Sequence, residues 1–246
     1  VRDVEFEMIF HLASFSDPIV SNQDLETCVD ANITQGLKLA FVASQQKKKP
    51  PFVYAQSFWQ FATGSKNPVP NSVYASLKQG FQLLAEHYRI NKNIPAVGLV
   101  IFETFSASDR RDKLLPRLAR VIADQKKGRA ITPLKLTSGT QQICFTHVDD
   151  VADAFVLAAQ YAFETDPKLL QPLLFLSQEK NKPLRRVIDE MLFDYDNAEN
   201  LILWGGKSHR PEDVFVLVDG PTVPGWKASR DLKECFQSMV KQLEDE

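Results

Sequence analysis

FVYAQSFWQFATGSKNPVPNSVYASLKQGFQLLAEHYRINKNIPAVGLVIF occupies residues 52–102 and holds one complete strand–helix–strand unit. It opens on Phe52-Val53-Tyr54-Ala55, a compact β-prone run, and closes on the apolar run from Ile94 to Phe102. Near-continuous apolar runs bounded by turn residues belong to strands covered on both faces, the condition of a parallel sheet. Between them lies a Gly/Pro/Asn-rich loop from Gly64 to Asn71, followed by a segment with the pattern of a helix.

Working outward, Met8-Ile9-Phe10-His11-Leu12-Ala13 reads as another strand buried on both faces. From Leu25 to Ala43 apolar residues recur at near-helical spacing, until Pro50-Pro51 interrupts. Lys113 to Ala123 reads as a helix, Leu134 to Leu136 and Ile143 to Val148 as shorter strands, and Asp149 to Tyr161 as a helix with Asp149 as its N-cap. Beyond these come strand patterns at 173–176 and 214–218, a helix at 184–192 and a terminal amphipathic helix at 229–243. Strands alternating with helices predict a parallel α/β sheet.

One pair inside the opening stretch carries chemistry. Tyr74 and Lys78 are four apart, so on a helix they share a face. A phenol titrates near pH 10, too high for easy proton exchange at neutral pH; a neighbouring ammonium lowers that value. Tyr74 then becomes a usable acid or base for a carbonyl/alcohol pair. Ser57 stands just past the strand that starts at Phe52, at the edge where parallel sheets bind ligands, and its hydroxyl is placed to meet the same oxygen.

Composition narrows the alternatives. With 29 basic and 31 acidic side chains, net −2, nothing electrostatic argues for nucleic acid or an acidic membrane surface. Three dispersed cysteines, Cys28, Cys144 and Cys235, fit a reducing compartment, so the expected location is the cytosol. No apolar stretch approaches the roughly 18 residues of a membrane span. The four histidines lack metal-ligand spacing, so no metal site is expected.

With these residues in view, the chain resembles the extended short-chain dehydrogenase/reductases, the NAD-dependent epimerase/dehydratase family acting on nucleotide-linked sugars. The resemblance runs from Phe10 to Trp226: Phe10-His11-Leu12-Ala13-Ser14 after a strand, Asn32 in VDANITQG, FVYAQS with its serine, YASLK with its tyrosine and lysine, FTHVDDVADAF at 145–155, Arg210-Pro211-Glu212-Asp213-Val214, and Gly225-Trp226. It implies a Rossmann-type, doubly wound sheet with a smaller C-terminal substrate-binding lobe. Residues 1–103, with 141–175 returning to it, form part of the dinucleotide-binding domain; 104–140 and 176–246 form the lobe. It also implies a Gly-rich strand–turn–helix ahead of Val1, with on the order of 60 residues preceding, leaving the His11 strand as an exposed apolar edge.

The resemblance assigns roles. Ser57, Tyr74 and Lys78 are catalytic; Leu12, Ala13, Ser14, Asn32, Lys78 and Phe102 face NAD or NADP; Ser57, Phe58, Trp59, Glu103 and Arg210 face a nucleotide sugar, Arg210 at its diphosphate. Dehydratases of the family carry Asp-Glu after the catalytic hydroxyl, where this chain has Phe58-Trp59, which leaves 4-ketoreduction or 4-epimerisation. The segment from Phe102 to Leu114 is similar to reductases of CDP-linked 4-keto-dideoxyhexoses, the abequose and paratose synthases. Ser106-Ala107 replaces the usual Gly-Pro turn, and Ile143-Cys144 replaces an Arg-Asp pair, removing an expected nucleotide-facing arginine. These departures keep open a non-catalytic binding or regulatory protein. A homodimer through the helices carrying Asn32 and Tyr74 is expected by analogy.

Overall fold

The computed structural model describes residues 5–16, 21, 24–177 and 182–246. In chain order the elements are β1 (Ile9–His11), α1 (Leu25–Val29), α2 (Gln35–Gln45), β2 (Phe52–Ser57), α3 (Val73–Lys92), β3 (Ala96–Ile101), β4 (Glu103–Phe105), α4 (Leu114–Lys126), β5 (Leu134–Lys135), β6 (Gln142–Ile143), β7 (Phe145–His147), α5 (Val148–Glu164), β8 (Leu173–Phe175), β9 (Lys182–Pro183), α6 (Leu184–Leu192), β10 (Ile202–Leu203) and α7 (Leu232–Asp245).

A parallel sheet in the order β1-β2-β3-β8 is the centre of a Rossmann-type α/β fold. Side chains alternate across it. Phe52 and Tyr54 of β2 point toward α2 and α3, where they meet Ala40, Ala43, Phe81 and Ala85. Val53 faces the other way, joining Val97, Leu99 and Leu174 beneath Val151, Ala154 and Ala158 of α5. Helices cover both faces, which is why β2 and β3 are apolar at nearly every position. The second lobe packs α4, α6 and α7 around Leu118, Ile122, Ile188, Phe236 and Met239, with the strand pairs β4–β7, β5–β10 and β6–β9 beside them.

Helix α3 shows why the chain folds so locally. The Ser72 hydroxyl accepts from the Ala75 amide at 3.2 Å as N-cap, Arg89 and Lys92 sit in the last turn where the helix dipole favours cations, and Asn93 ends the helix in the left-handed region at φ 53°.

Five expectations are revised. The strand at His11 is covered on one face only: Ile9 and His11 are buried while Met8, Phe10 and Leu12 are exposed. The helix expected from Leu25 to Ala43 is α1 and α2 joined by a π-helical turn at Asp30–Thr34. The strand at 143–148 divides at Cys144 into β6 and β7, and α5 is capped by His147, whose Nδ1 accepts from the Asp149 amide at 3.1 Å; Asp149 already lies inside the helix. Residues 214–218 form no strand. Val214, Leu217 and Val218 are buried against Phe61 and Phe175, but the Leu217 amide donates to the Gln142 side chain at 3.3 Å in place of a strand partner.

Gly36 on α2 marks the closest approach of that helix to the sheet. A Cβ there would lie 2.5 Å from a Phe81 ring carbon and 2.6 Å from His11 Nε2. Helix propensity favours alanine by about 0.5–1 kcal/mol. Overpacking against two buried rings costs about 1–3 kcal/mol and outweighs it. Gly36→Ala is therefore expected to lower stability in urea denaturation; a gain would show that the rings yield freely.

Candidate active site

Ser57 ends β2 in register with Ile101 of β3 and begins a 3-10 turn at Phe58–Gln60. Its hydroxyl accepts from the Trp59 amide at 3.3 Å, and its own amide donates to Gln60 Oε1 at 3.0 Å. The other end of that Gln60 amide donates to Gln79 at 2.9 Å and Gln82 at 3.2 Å, both on α3. One fully buried glutamine thus ties the strand end carrying Ser57 to the helix carrying Tyr74 and Lys78. Sequence reasoning missed it, since a lone amide beyond a strand has no motif.

Tyr74 projects from the first turn of α3 with its phenol facing the side-chain hydroxyls of Ser57 and Ser14. Burial pushes its phenol above the ordinary value, those two hydroxyls pull it back without prevailing, and the charge of Glu103 adds to the rise. This reverses the direction expected from the Tyr74–Lys78 spacing. The Lys78 ammonium stands 5.8 Å from the Tyr74 ring centroid and donates instead to Ala55 O at 3.1 Å. Desolvation of the phenol is the larger effect.

Lys78 is 3% exposed, and burial lowers its pKa to about 8. Ala55 O is its only hydrogen-bond acceptor among the described residues, so the ammonium keeps donors for further oxygens. A folded pKa below the unfolded value near 10.5 means that the cost of burying the charge is full below pH 8 and is relieved as pH rises toward 10.5. Lys78→Met is accordingly expected to melt higher than the parent at pH 7.5, with the gap narrowing by pH 10. A constant gap would show that the buried charge is not the cause.

The loop after β1 brings Leu12, Ala13 and Ser14 to the same edge, all exposed. Ser14 Oγ donates to Asn32 Oδ1 at 3.0 Å, while Asn32 Nδ2 donates to Phe15 O at 3.0 Å and Cys28 O at 2.9 Å. Asn32 lies in the π-helical turn, and its buried amide fixes the loop from below. His11 is packed against Phe52 and Phe81, and burial with the nearby Lys78 charge lowers its pKa to about 4, so its ring is neutral at pH 7.

Glu103 starts β4, two residues past the partner of Ser57. Burial raises its carboxyl, opposed by the charges of Lys113, Arg111 and Arg210; the first two share its segment from Phe102 to Leu114, and Arg210 comes from far along the chain. Arg210 is exposed and pairs with Asp213 at 3.2 Å. Aromatic rings wall the edge: Phe58 stacks on Phe102 at 5.4 Å, and Trp59 meets Tyr74 edge-on at 6.4 Å. Phe102 is buried. The structure thus gathers Ser14, Asn32, Ser57, Trp59, Tyr74 and Lys78 directly, with Glu103 and Arg210 linked to them through charge.

Asp150, in the HVDD segment, does something else. Its carboxylate accepts from the Ser229 and Arg230 amides at 3.2 Å each, from Ser229 Oγ at 3.0 Å and from the Arg230 guanidinium at 2.6 Å, and its carbonyl accepts from the Trp226 indole at 2.7 Å. Burial alone would raise this carboxyl, but the hydrogen bonds from Arg230 and Ser229 together hold it below the usual range. It fastens the Gly225-Trp226 segment to α5.

A profile described as the NAD dependent epimerase/dehydratase family matches residues 1–171. The chain belongs to that family. Among curated proteins, this member of the NAD-dependent epimerase/dehydratase family is 26% identical over 157 residues to UDP-glucuronate 4-epimerase 3 of Arabidopsis thaliana, covering 60% of this chain and 36% of that one. It spans less than half the length of the curated relatives it matches. Solved structures share the fold. RMD from Pseudomonas aeruginosa, complexed with NADPH, superposes with a TM-score of 0.76 at 16% identity, over 97% of this chain and 82% of that one. UDP-glucuronic acid 4-epimerase from Bacillus cereus, with UDP-glucuronic acid and NAD, gives 0.73 at 19% identity, over 97% and 76%. The family is NAD-dependent, and the residues present fit such a group: a buried ammonium with spare donors lies beside an exposed loop at the sheet edge, as vicinal ribose hydroxyls require. No helix among the described residues is long and apolar enough to cross a membrane.

Proposed function

We propose that the protein reduces the 4-keto group of a nucleotide-linked (deoxy)hexose with NADH or NADPH. The observation that carries this reading is the Tyr74 phenol facing the Ser57 hydroxyl, with a buried Lys78 one helical turn on. When bound, the nicotinamide supplies the hydride that reaches the sugar carbon. Leu12, Ala13 and Ser14 line its side of the edge, Asn32 holds their loop, and Lys78 offers its spare donors to ribose. The Ser57 and Tyr74 hydroxyls converge on one substrate oxygen; Tyr74 gives that oxygen its proton, and Ser57 steadies the developing negative charge by hydrogen bond. The raised phenol pKa keeps Tyr74 protonated at neutral pH but makes it a weaker acid, so donation is driven by the negative charge that develops on the substrate oxygen. Phe58 and Trp59 wall the sugar, Glu103 contacts it, and Arg210 exchanges Asp213 for the diphosphate. In this reading residues 1–103 and 141–175 carry the cofactor face while 104–140 and 176–246 close over the nucleotide.

Phe58-Trp59 after the serine leaves no second acid/base pair there, which supports redox chemistry at one carbon over elimination of water. A second reading, 4-epimerisation with retained NAD, is favoured by the sequence relative named as a UDP-glucuronate 4-epimerase. The two separate cleanly. Given a 4-keto sugar nucleotide, a reductase oxidises one NAD(P)H per product, whereas an epimerase interconverts 4-hydroxy sugars without net consumption. Absence of both activities in the native protein would overturn the proposal. The reading extends to a homodimer: Phe41 on α2 and Leu83 and Ile90 on α3 expose half or more of their surface, which suits a helix-to-helix contact between copies.

A further inference from the structure

We infer that Ser138, His209 and Asp213 form a second site that hydrolyses short acyl esters, adjoining the proposed diphosphate contact because Arg210 bonds to Asp213. Ser138 lies in the loop between β5 and β6, and its Oγ is 2.8 Å from His209 Nε2. His209 Nδ1 is 3.0 Å from Asp213 Oδ2. The order hydroxyl, Nε2, Nδ1, carboxylate is that of an activated serine: one ring nitrogen faces the nucleophile while the other is held by an acid that fixes tautomer and orientation. Exposure follows the same order. Ser138 is open to solvent, the His209 side chain is 28% exposed and that of Asp213 is 8% exposed.

The surroundings hold this geometry. Asp213 is further fixed by the Arg210 amide at 3.2 Å and the Arg210 guanidinium at 3.2 and 3.3 Å. The two loops are stitched by backbone bonds: Gly205 N to Thr137 O at 3.1 Å and Lys207 N to Leu136 O at 3.0 Å. Gly139 has φ +74°, and a Cβ there would strike Trp204 and Arg185, so the turn after the serine is sharp and closely packed. Among the described residues its amide donates to Thr137 Oγ1 at 3.4 Å, a long bond that an oxyanion formed on the adjacent Ser138 can displace. Ser138 Oγ also lies 3.1 Å from Thr140 Oγ1, a hydroxyl able to accept or donate while His209 holds the serine. Phe215, 4.9 Å from the His209 ring, offers an apolar wall, and the open setting suits a short acyl group.

The chemistry balances without a further reactant. Ser138 Oγ bonds to the ester carbonyl carbon as His209 Nε2 takes its proton. The bond to the alcohol oxygen breaks, and His209 protonates the departing alcohol. Water then attacks the acyl-serine, leaving its proton on His209; the carboxylic acid departs as Ser138 regains a hydrogen.

A fluorophosphonate probe and p-nitrophenyl acetate test this on the native protein. The expected result is an adduct on Ser138 in peptide mass spectra, absent from His209→Gln, and a fall in ester hydrolysis of about 10²-fold or more in both Ser138→Ala and His209→Gln. No adduct on Ser138, or hydrolysis unchanged in Ser138→Ala, would overturn the inference. Ser138 is on an exposed loop, so its alanine variant retains the fold, and His209→Gln separates an activated serine from one that is merely accessible.

Discussion

Tyr74→Phe is expected to lower turnover by about 10²–10⁴-fold, the span of a general acid's contribution. The ring and its edge-on contact with Trp59 survive, and only the oxygen that faces Ser57 and Ser14 is lost. Because the phenol matters to the carbonyl oxygen as charge develops, the loss falls on kcat, and KM moves little. Ser57→Ala, which removes one hydrogen bond and leaves the proton donor, costs less. Steady-state kinetics with a 4-keto sugar nucleotide checks both. A Tyr74→Phe rate within a factor of a few of the parent rules out the proton-transfer role, and with it the mechanism built on Ser57, Tyr74 and Lys78.

The largest effect on stability is expected at Asp150. Alanine there removes the acceptor of the part-buried Ser229 and Arg230 amides, and each lost hydrogen bond to a charged group costs about 1.5–3 kcal/mol. The expected outcome is a melting temperature lower by several degrees, with faster amide exchange confined first to the Trp226–Arg230 segment. The Trp226 indole still reaches the residue-150 carbonyl, so the segment loosens without detaching. The pH dependence has a defined sign. A carboxyl held below its ordinary value stabilises the fold above the unfolded pKa near 4, and that contribution disappears as pH falls through the lower, folded value. The parent and Asp150→Ala should therefore converge in acid; equal stability at pH 7 would refute the fastening role.

Much of this was legible in the chain. The apolar runs at Phe52 and Ile94 specified a two-sided parallel sheet, because only strands buried on both faces tolerate so little alternation. The run at His11 misled on one point: six apolar residues read alike whether one face or two are covered. Residues 214–218 failed for a related reason, since burial alone gives the pattern of a strand while the backbone takes its partner from Gln142. At the site, motif and spacing singled out Ser57, Tyr74 and Lys78, and the fold brings these side chains to the end of β2. The sign of the Tyr74 shift did not follow, because a spacing of four residues reports proximity and says nothing of how much water the fold removes. Gln60 was invisible for the same reason as the Asp150–Arg230 pair: the partners are set by tertiary packing between distant stretches of chain.

The Gln60 crosspiece has an evolutionary corollary. Because the separation of the Ser57 and Tyr74 hydroxyls is held by one amide gripping both strand end and helix, the intervening segment from Ala62 to Pro70 is relieved of that duty. Insertions or exchanges in it can reshape what the cleft admits while leaving the proton-handling pair in tune, so new specificities can arise by loop variation on unchanged chemistry.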